Sequence, residues 1–278
     1  MTAEQPSQGV GGGGSEVPTC YRHPNRETYL RCSRCDRPIC PDCMREAPVG
    51  QQCVDCAGAG SKQTRPRTAF GGVGMPRTTV VTWVFLGLNV AVFLAVQISP
   101  QLANVLFLSG QGVAYGQWYR LLTGAFVHIQ WWHILVNMYA LFIIGPHMER
   151  ALGHWRYAVL YLVAALAGSG LSVAVGGLYT ASVGASGAIF GLFGATVIVF
   201  RRLRLDTRWI LSVIAINLVV TFLFHGIIDW RGHVGGLVAG TLLAVAYAYA
   251  PRAQRLLVHI GAAVALVVLS LALVFVGL

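Results

Sequence analysis

The sequence predicts an all-α membrane protein with several spans, preceded by a small module folded around metal ions. Three features predict it. Hydrophobic residues make up 55% of the 278 residues and charged residues 11%, a balance too apolar for an ordinary soluble domain. From Thr79 onward, long apolar runs alternate with short arginine-bearing connections. All seven cysteines lie between Cys20 and Cys56, ahead of the first apolar run.

Residues 1–17 are rich in Gly, Ser and Gln and are expected to be disordered. The module that follows, 18–57, holds four ligand pairs: Cys20/His23, Cys32/Cys35, Cys40/Cys43 and Cys53/Cys56. Each is C-x-x-C or C-x-x-H, the spacing that lets two side chains chelate one tetrahedral ion. Eight ligands make two complete zinc sites. A disulfide knot is the competing reading. The odd cysteine number disfavours it, as does the cytoplasmic side inferred below from arginine placement, where thiols stay reduced. So short a segment has little core, and the metal would supply most of its folding energy. The region resembles a B-box-type zinc finger, in which alternate pairs share an ion. By that resemblance Cys20, His23, Cys40 and Cys43 would hold one Zn2+, and Cys32, Cys35, Cys53 and Cys56 the other. No position is left open for chemistry, so both ions are expected to be structural. Residues 58–78 read as a flexible, basic, Gly/Pro-rich linker that anionic lipid would attract.

Apolar segments fall near 79–98, 126–145, 157–175, 186–200, 209–224, 233–250 and 256–278. No cleavable leader pattern precedes them, so the first is expected to act as the membrane signal. Arg150 and Arg156, Arg201 to Arg208, and Arg252 and Arg255 all fall in alternate connections. The positive-inside rule therefore predicts seven helices with the N-terminus cytoplasmic and the C-terminus outside. The same distribution accounts for the net charge of +10 without nucleic acid, since no basic face is interleaved with aromatics.

The fourth segment is short. From Ser186 to Arg201 it has about 15 residues, roughly 22 Å of helix against a hydrocarbon core of about 30 Å. With the arginines at the inner surface, Ser186 lies several ångströms below the outer one. The Gly-rich VGGLYTASVGA before it would have to line a water-filled cavity. Two readings of SVGASGAIFG stand here. Gly187 and Gly191 form a G-x-x-x-G that lets helices approach closely, or Ser186 is a nucleophile within the bilayer.

A nucleophilic serine needs a base and donors for an oxyanion. His233 opens the sixth segment at the depth of Ser186, and Gly236 and Gly240 behind it form a second G-x-x-x-G able to press that helix against the fourth. Spacing alone leaves open a buried histidine satisfied by backbone. His133 and Asn137 lie one turn apart on the second segment and share a helical face. They read either as oxyanion donors or as an interhelical hydrogen bond.

Taken in order, QWYR at 117–120, HIQWWHILVNM at 128–138, ERALG at 149–153, GASG at 184–187 and HVGGLVAG at 233–240 resemble the rhomboid intramembrane serine proteases. The resemblance implies a six-helix catalytic core over 79–250, with a seventh helix over 251–278 beyond it. It implies Ser186 as nucleophile and His233 as general base, with no aspartate. His133, Asn137 and the Ser186 backbone N–H would form the oxyanion hole. Gly184, Gly187, Gly236 and Gly240 would support close packing, and Phe190 would pack on the imidazole. Trp118 and Arg120 match a structural W-R motif, interrupted here by Tyr119, and Gly232 stands where an alanine often precedes the histidine.

The expected activity is hydrolysis of a peptide bond in or beside a transmembrane segment of another membrane protein. The catalysis needs no cofactor. The expected partners are transmembrane substrates, the lipid bilayer and a cytoplasmic partner of the zinc module. Two rivals are an inactive rhomboid-like protein that binds membrane clients and a transporter. The first would lack the serine or the histidine, and the second predicts inverted repeats that are not seen. Arginine used almost to the exclusion of lysine, with Lys62 alone, suggests a GC-rich bacterium and hence its plasma membrane.

Overall fold

Cysteine pairs separated by short polar runs leave no room for long elements, and the N-terminal unit is built accordingly. The computed structural model describes residues 17–47, 49–61, 68, 70–71 and 78–278. The chain divides into two units, Met1–Arg65 and Pro66–Leu278. In the first, β1 (Thr19–Cys20) pairs with β2 (His23–Glu27), and β3 (Met44–Glu46) pairs with β4 (Gln51–Cys53), both antiparallel. A 3-10 turn at Pro41–Cys43 precedes β3, and α1 (Val54–Ser61) follows β4. The buried apolar core, among the described residues, consists of Ile39 and five cysteines, Cys20, Cys32, Cys40, Cys43 and Cys53. The expected disordered stretch 1–17 falls almost wholly outside the described residues.

The second unit is helical. After α2 (Val80–Ile98) come the short helices α3 (Pro100–Leu106), α4 (Gly110–Ala114) and α5 (Arg120–Thr123). The long helices α6 (Trp131–Leu152), α7 (His154–Gly176), α8 (Ser186–Arg202), α9 (Arg208–Leu223), α10 (Trp230–Tyr249) and α11 (Arg255–Gly277) follow. The seven long helices among the described residues correspond to the seven predicted apolar segments. Four of these regions are long and apolar enough to cross a membrane unaided, and a fifth arises if Arg120–Phe126 and Trp131–Leu152, bent by 93°, count as one. At 17 and 16 residues, α8 and α9 are shorter. The chain is a multi-pass membrane protein.

α7 is the central helix. Its apolar window is 67% buried, against 22% for α11, because α8, α10 and α11 all pack on it. The second predicted segment ended before Pro146, yet α6 runs through that proline to Leu152. Its last turn has a reason to stay helical. Glu149 is fully buried and accepts the N–H groups of Val81 and Thr82 at 2.9 and 2.8 Å and the Thr82 hydroxyl at 2.7 Å. A carboxylate thus satisfies the orphan donors of the α2 N-terminus, where the helix dipole favours negative charge. At the start of α11, buried Arg156 donates through Nε to His259 Nδ1 at 2.9 Å, tying α7 to the seventh helix.

The region expected to be a flexible linker, 58–78, differs from that expectation at two points. α1 extends into it, and Phe70, 2% exposed, belongs to the main core of the helical unit. An aromatic ring removed from water outweighs the Gly/Pro composition around it. Residues 62–67, 69 and 72–77 lie outside the described residues.

Candidate active site

Sequence places Ser186 at the first turn of α8, and the loop before it is strapped in place. β5 (Leu108–Ser109) pairs antiparallel with β6 (Ala181–Ser182), and Gly184 donates its N–H to the Gly124 carbonyl at 3.0 Å. Gly184 has φ +117°, and a Cβ there would lie 2.6 Å from the His133 ring. Only glycine fits both demands. His128, fully buried, accepts the Ala185 N–H at Nε2 over 3.4 Å, so the residue before the serine is held by a histidine.

α8 and α10 touch through their small residues. A Cβ on Gly236 would lie 1.9 Å from the Gly187 carbonyl oxygen, and one on Gly240 would lie 2.4 Å from Gly191 Cα. This approach brings His233, in the first turn of α10, to Ser186. His233 Nε2 lies 2.7 Å from Ser186 Oγ. Phe190, one turn beyond the serine, stacks on the imidazole at 4.2 Å and 16°. On the other edge of the ring, Nδ1 lies 2.8 Å from Thr221 Oγ1 on α9.

Ser186, His233, His133 and Asn137 line one cavity of about 540 Å³. The Asn137 amide donates one N–H to the His133 carbonyl at 2.9 Å, which anchors it and leaves its second N–H. The Ser186 N–H belongs to the helical turn that has no internal acceptor, at the positive end of the α8 dipole. The arrangement offers a hydroxyl hydrogen-bonded to an imidazole, with donors around the same cavity. That is the equipment for nucleophilic attack on a carbonyl.

Comparison with known proteins decides the family. The profile described as Rhomboid domain matches residues 115–250. Rhomboid protease GluP of Bacillus subtilis (strain 168) is 33% identical over 228 residues, covering 78% of this chain and 44% of that protein. YdcA of the same bacterium is 35% identical over 143 residues, covering 48% of this chain and 69% of that protein. The chain belongs to the rhomboid family. Rhomboid protease AarA of Providencia stuartii is similar at 26% identity over 233 residues, 70% of this chain and 80% of that protein. The chain spans less than half the length of the GluP relative.

In this rhomboid the W-R motif holds up the loop that borders the cavity. Arg120 donates through Nη1 to the carbonyls of Asn104 and Phe107, both at 2.9 Å, and through Nε to Gln117 Oε1 at 2.6 Å. Trp118 packs its ring 5.2 Å from Phe275, so the seventh helix reaches the same loop. Sequence reasoning missed His128 and Thr221. His128 had a signal, a second histidine five residues before His133. Thr221 had only a hydroxyl on an apolar helix.

The cysteine pairs of the first unit gather as two clusters that could hold metal ions. Cys20, His23, Cys40 and Cys43 form one, and Cys32, Cys35, Cys53 and Cys56 the other, each with its ligand atoms within 4.8 Å of one another. This is the alternate grouping that the B-box resemblance implies. None of the seven cysteines is in a disulfide. His23 Nδ1 lies 3.9, 3.3 and 3.4 Å from the sulfurs of Cys20, Cys40 and Cys43, and the Cys35 and Cys53 sulfurs are 3.8 Å apart. A tetrahedron with metal–sulfur bonds of about 2.3 Å has edges of about 3.8 Å, so the donors fit such an ion. Burial pushes the Cys20 and Cys32 thiols up. Backbone N–H groups outweigh it, from Arg22 and Cys40 at Cys20 and from Cys53, Arg34 and Cys35 at Cys32, and lower both to about 6.

Proposed function

We propose that this rhomboid is an intramembrane serine endopeptidase that cleaves peptide bonds in or next to transmembrane segments of membrane proteins. The observation that carries the reading is the 2.7 Å contact between His233 Nε2 and Ser186 Oγ on the wall of a cavity. The Ser186 oxygen forms a bond to the scissile carbonyl carbon while its proton passes to His233 Nε2. The oxyanion is met by His133, Asn137 and the Ser186 N–H. The C–N bond then breaks as the imidazolium returns the proton to the leaving nitrogen. Water, deprotonated by the same histidine, then bonds to the acyl carbon, and the imidazolium returns the proton to Ser186 Oγ as the ester C–O bond breaks. Phe190 holds the ring in the plane that both transfers need.

The N-terminal unit carries two structural Zn2+ ions, one held by three cysteines and a histidine and the other by four cysteines, and takes no part in the chemistry. It is a cytoplasmic site for a partner protein. The N-terminus is cytoplasmic, and the protein sits in a bacterial plasma membrane.

The test is labelling of the detergent-purified protein with a fluorophosphonate probe, beside Ser186→Ala and His233→Ala. Labelling of the wild type that vanishes in both variants is the expected result. A folded wild type that resists the probe, and in lipid leaves a transmembrane peptide uncut, moves the assignment to an inactive, client-binding rhomboid.

A further inference from the structure

We infer that Thr221 on α9 is a positioning residue that sets the tautomer of His233. The inference rests on the serine–histidine reading above and adds a third group to it, uncharged and supplied by another helix.

α9 is apolar, and Thr221 and Ile210 are its buried residues. Thr221 is 1% exposed. A buried threonine on an apolar helix needs one partner for its hydroxyl, and the carbonyl one turn back supplies it: Thr221 Oγ1 donates to the Asn217 oxygen at 2.7 Å. Burial alone asks for nothing more. Yet the same oxygen lies 2.8 Å from His233 Nδ1.

A hydroxyl has a single proton. With that proton on the Asn217 carbonyl, Thr221 Oγ1 can meet Nδ1 only as an acceptor, so the ring proton belongs on Nδ1. A neutral imidazole carries one N–H. Nε2 then holds a lone pair, and that lone pair faces the Ser186 hydroxyl. The opposite assignment would put the ring proton on Nε2, pointing at the serine, and leave no base.

The relay therefore runs from the Ser186 hydroxyl to Nε2, from Nδ1–H to Thr221 Oγ1, and from the Thr221 hydroxyl to the backbone. During attack the serine proton moves to Nε2 and Nδ1 keeps its own, so the imidazolium has an acceptor waiting and no proton travels past the ring. Phe190 fixes the ring face, and Thr221 fixes its rotation about that face.

The experiment measures fluorophosphonate labelling of the full chain against probe concentration, in wild type, Thr221→Val, Thr221→Ala and Thr221→Ser. Loss of the hydroxyl should lower the saturating rate about tenfold in Val and Ala while the half-saturating concentration stays within about twofold. Thr221→Ser, which restores the hydroxyl without the methyl, should label at close to the wild-type rate. Val or Ala labelling at the wild-type rate overturns the inference. So does a Ser variant as slow as Ala, which would mark a packing role. Should Val fail to fold, judged by its melting curve, Ala against Ser decides. Wild type that labels at Ser186 while Thr221→Ala is unimpaired removes this inference alone. An unlabelled wild type removes the dyad reading with it.

Discussion

Ser186 illustrates how much of a site a residue's neighbours decide. Its position in a short helix between small residues was legible in sequence, because G-x-x-x-G spacing and length are one-dimensional properties. So was His233, which precedes a second G-x-x-x-G. The 2.7 Å contact between them depends on two helices 47 residues apart in the chain. His133 and Asn137 line the same cavity as the pair. If they stabilise the oxyanion, His133→Ala and Asn137→Ala should each lower kcat on a transmembrane substrate by about 100-fold with little change in KM, measured in detergent. A rise in KM alone would assign them to substrate binding.

At the scale of elements, the contact of α8 with α10 is backbone on backbone. A methyl at Gly236 would stand 1.9 Å from the Gly187 carbonyl and cannot be absorbed by a flexible side chain. Gly236→Ala must push the helices apart and carry Ser186 away from His233. Activity should fall about 100-fold, since displacement by about an ångström costs that much. Gly261→Ala, where a Cβ meets nothing within 4 Å, is the control and should be silent. The Glu149 carboxylate ties α6 to α2 in a similar all-or-none way. Glu149→Gln keeps the shape but turns one acceptor into a donor, facing either the Val81 N–H at one oxygen or the Thr82 donors at the other. The thermal midpoint in detergent should drop by about 5–10 °C. An unchanged midpoint would mean that the α2 N-terminus finds other acceptors.

For the whole molecule, the two units pose different folding problems. The helical unit buries a continuous core, whereas the N-terminal unit buries Ile39 and five of its cysteines. If two zinc ions replace the missing core, metal analysis of the full chain should find about two zinc per chain. A strong chelator should then make residues before α2 sensitive to protease while Ser186 still takes the probe. Zinc well below two per chain, or loss of labelling on chelation, would contradict a purely structural role.

The sequence by itself determined what rests on periodicity and spacing. Seven apolar segments became seven long helices among the described residues, and eight Cys and His residues spaced in pairs became two clusters. It also marked the fourth segment as short, and α8 is 17 residues long. Only the tertiary structure decided what depends on which side chains meet across the fold. Glu149, read from a connection, turned out to cap a helix 67 residues away. Phe70, in a stretch whose composition says linker, entered the core. Thr221 met the one ring nitrogen left over by Ser186. None of these has a local signature. A buried polar contact is specified by two positions at once, and either one alone looks like any other glutamate, phenylalanine or threonine.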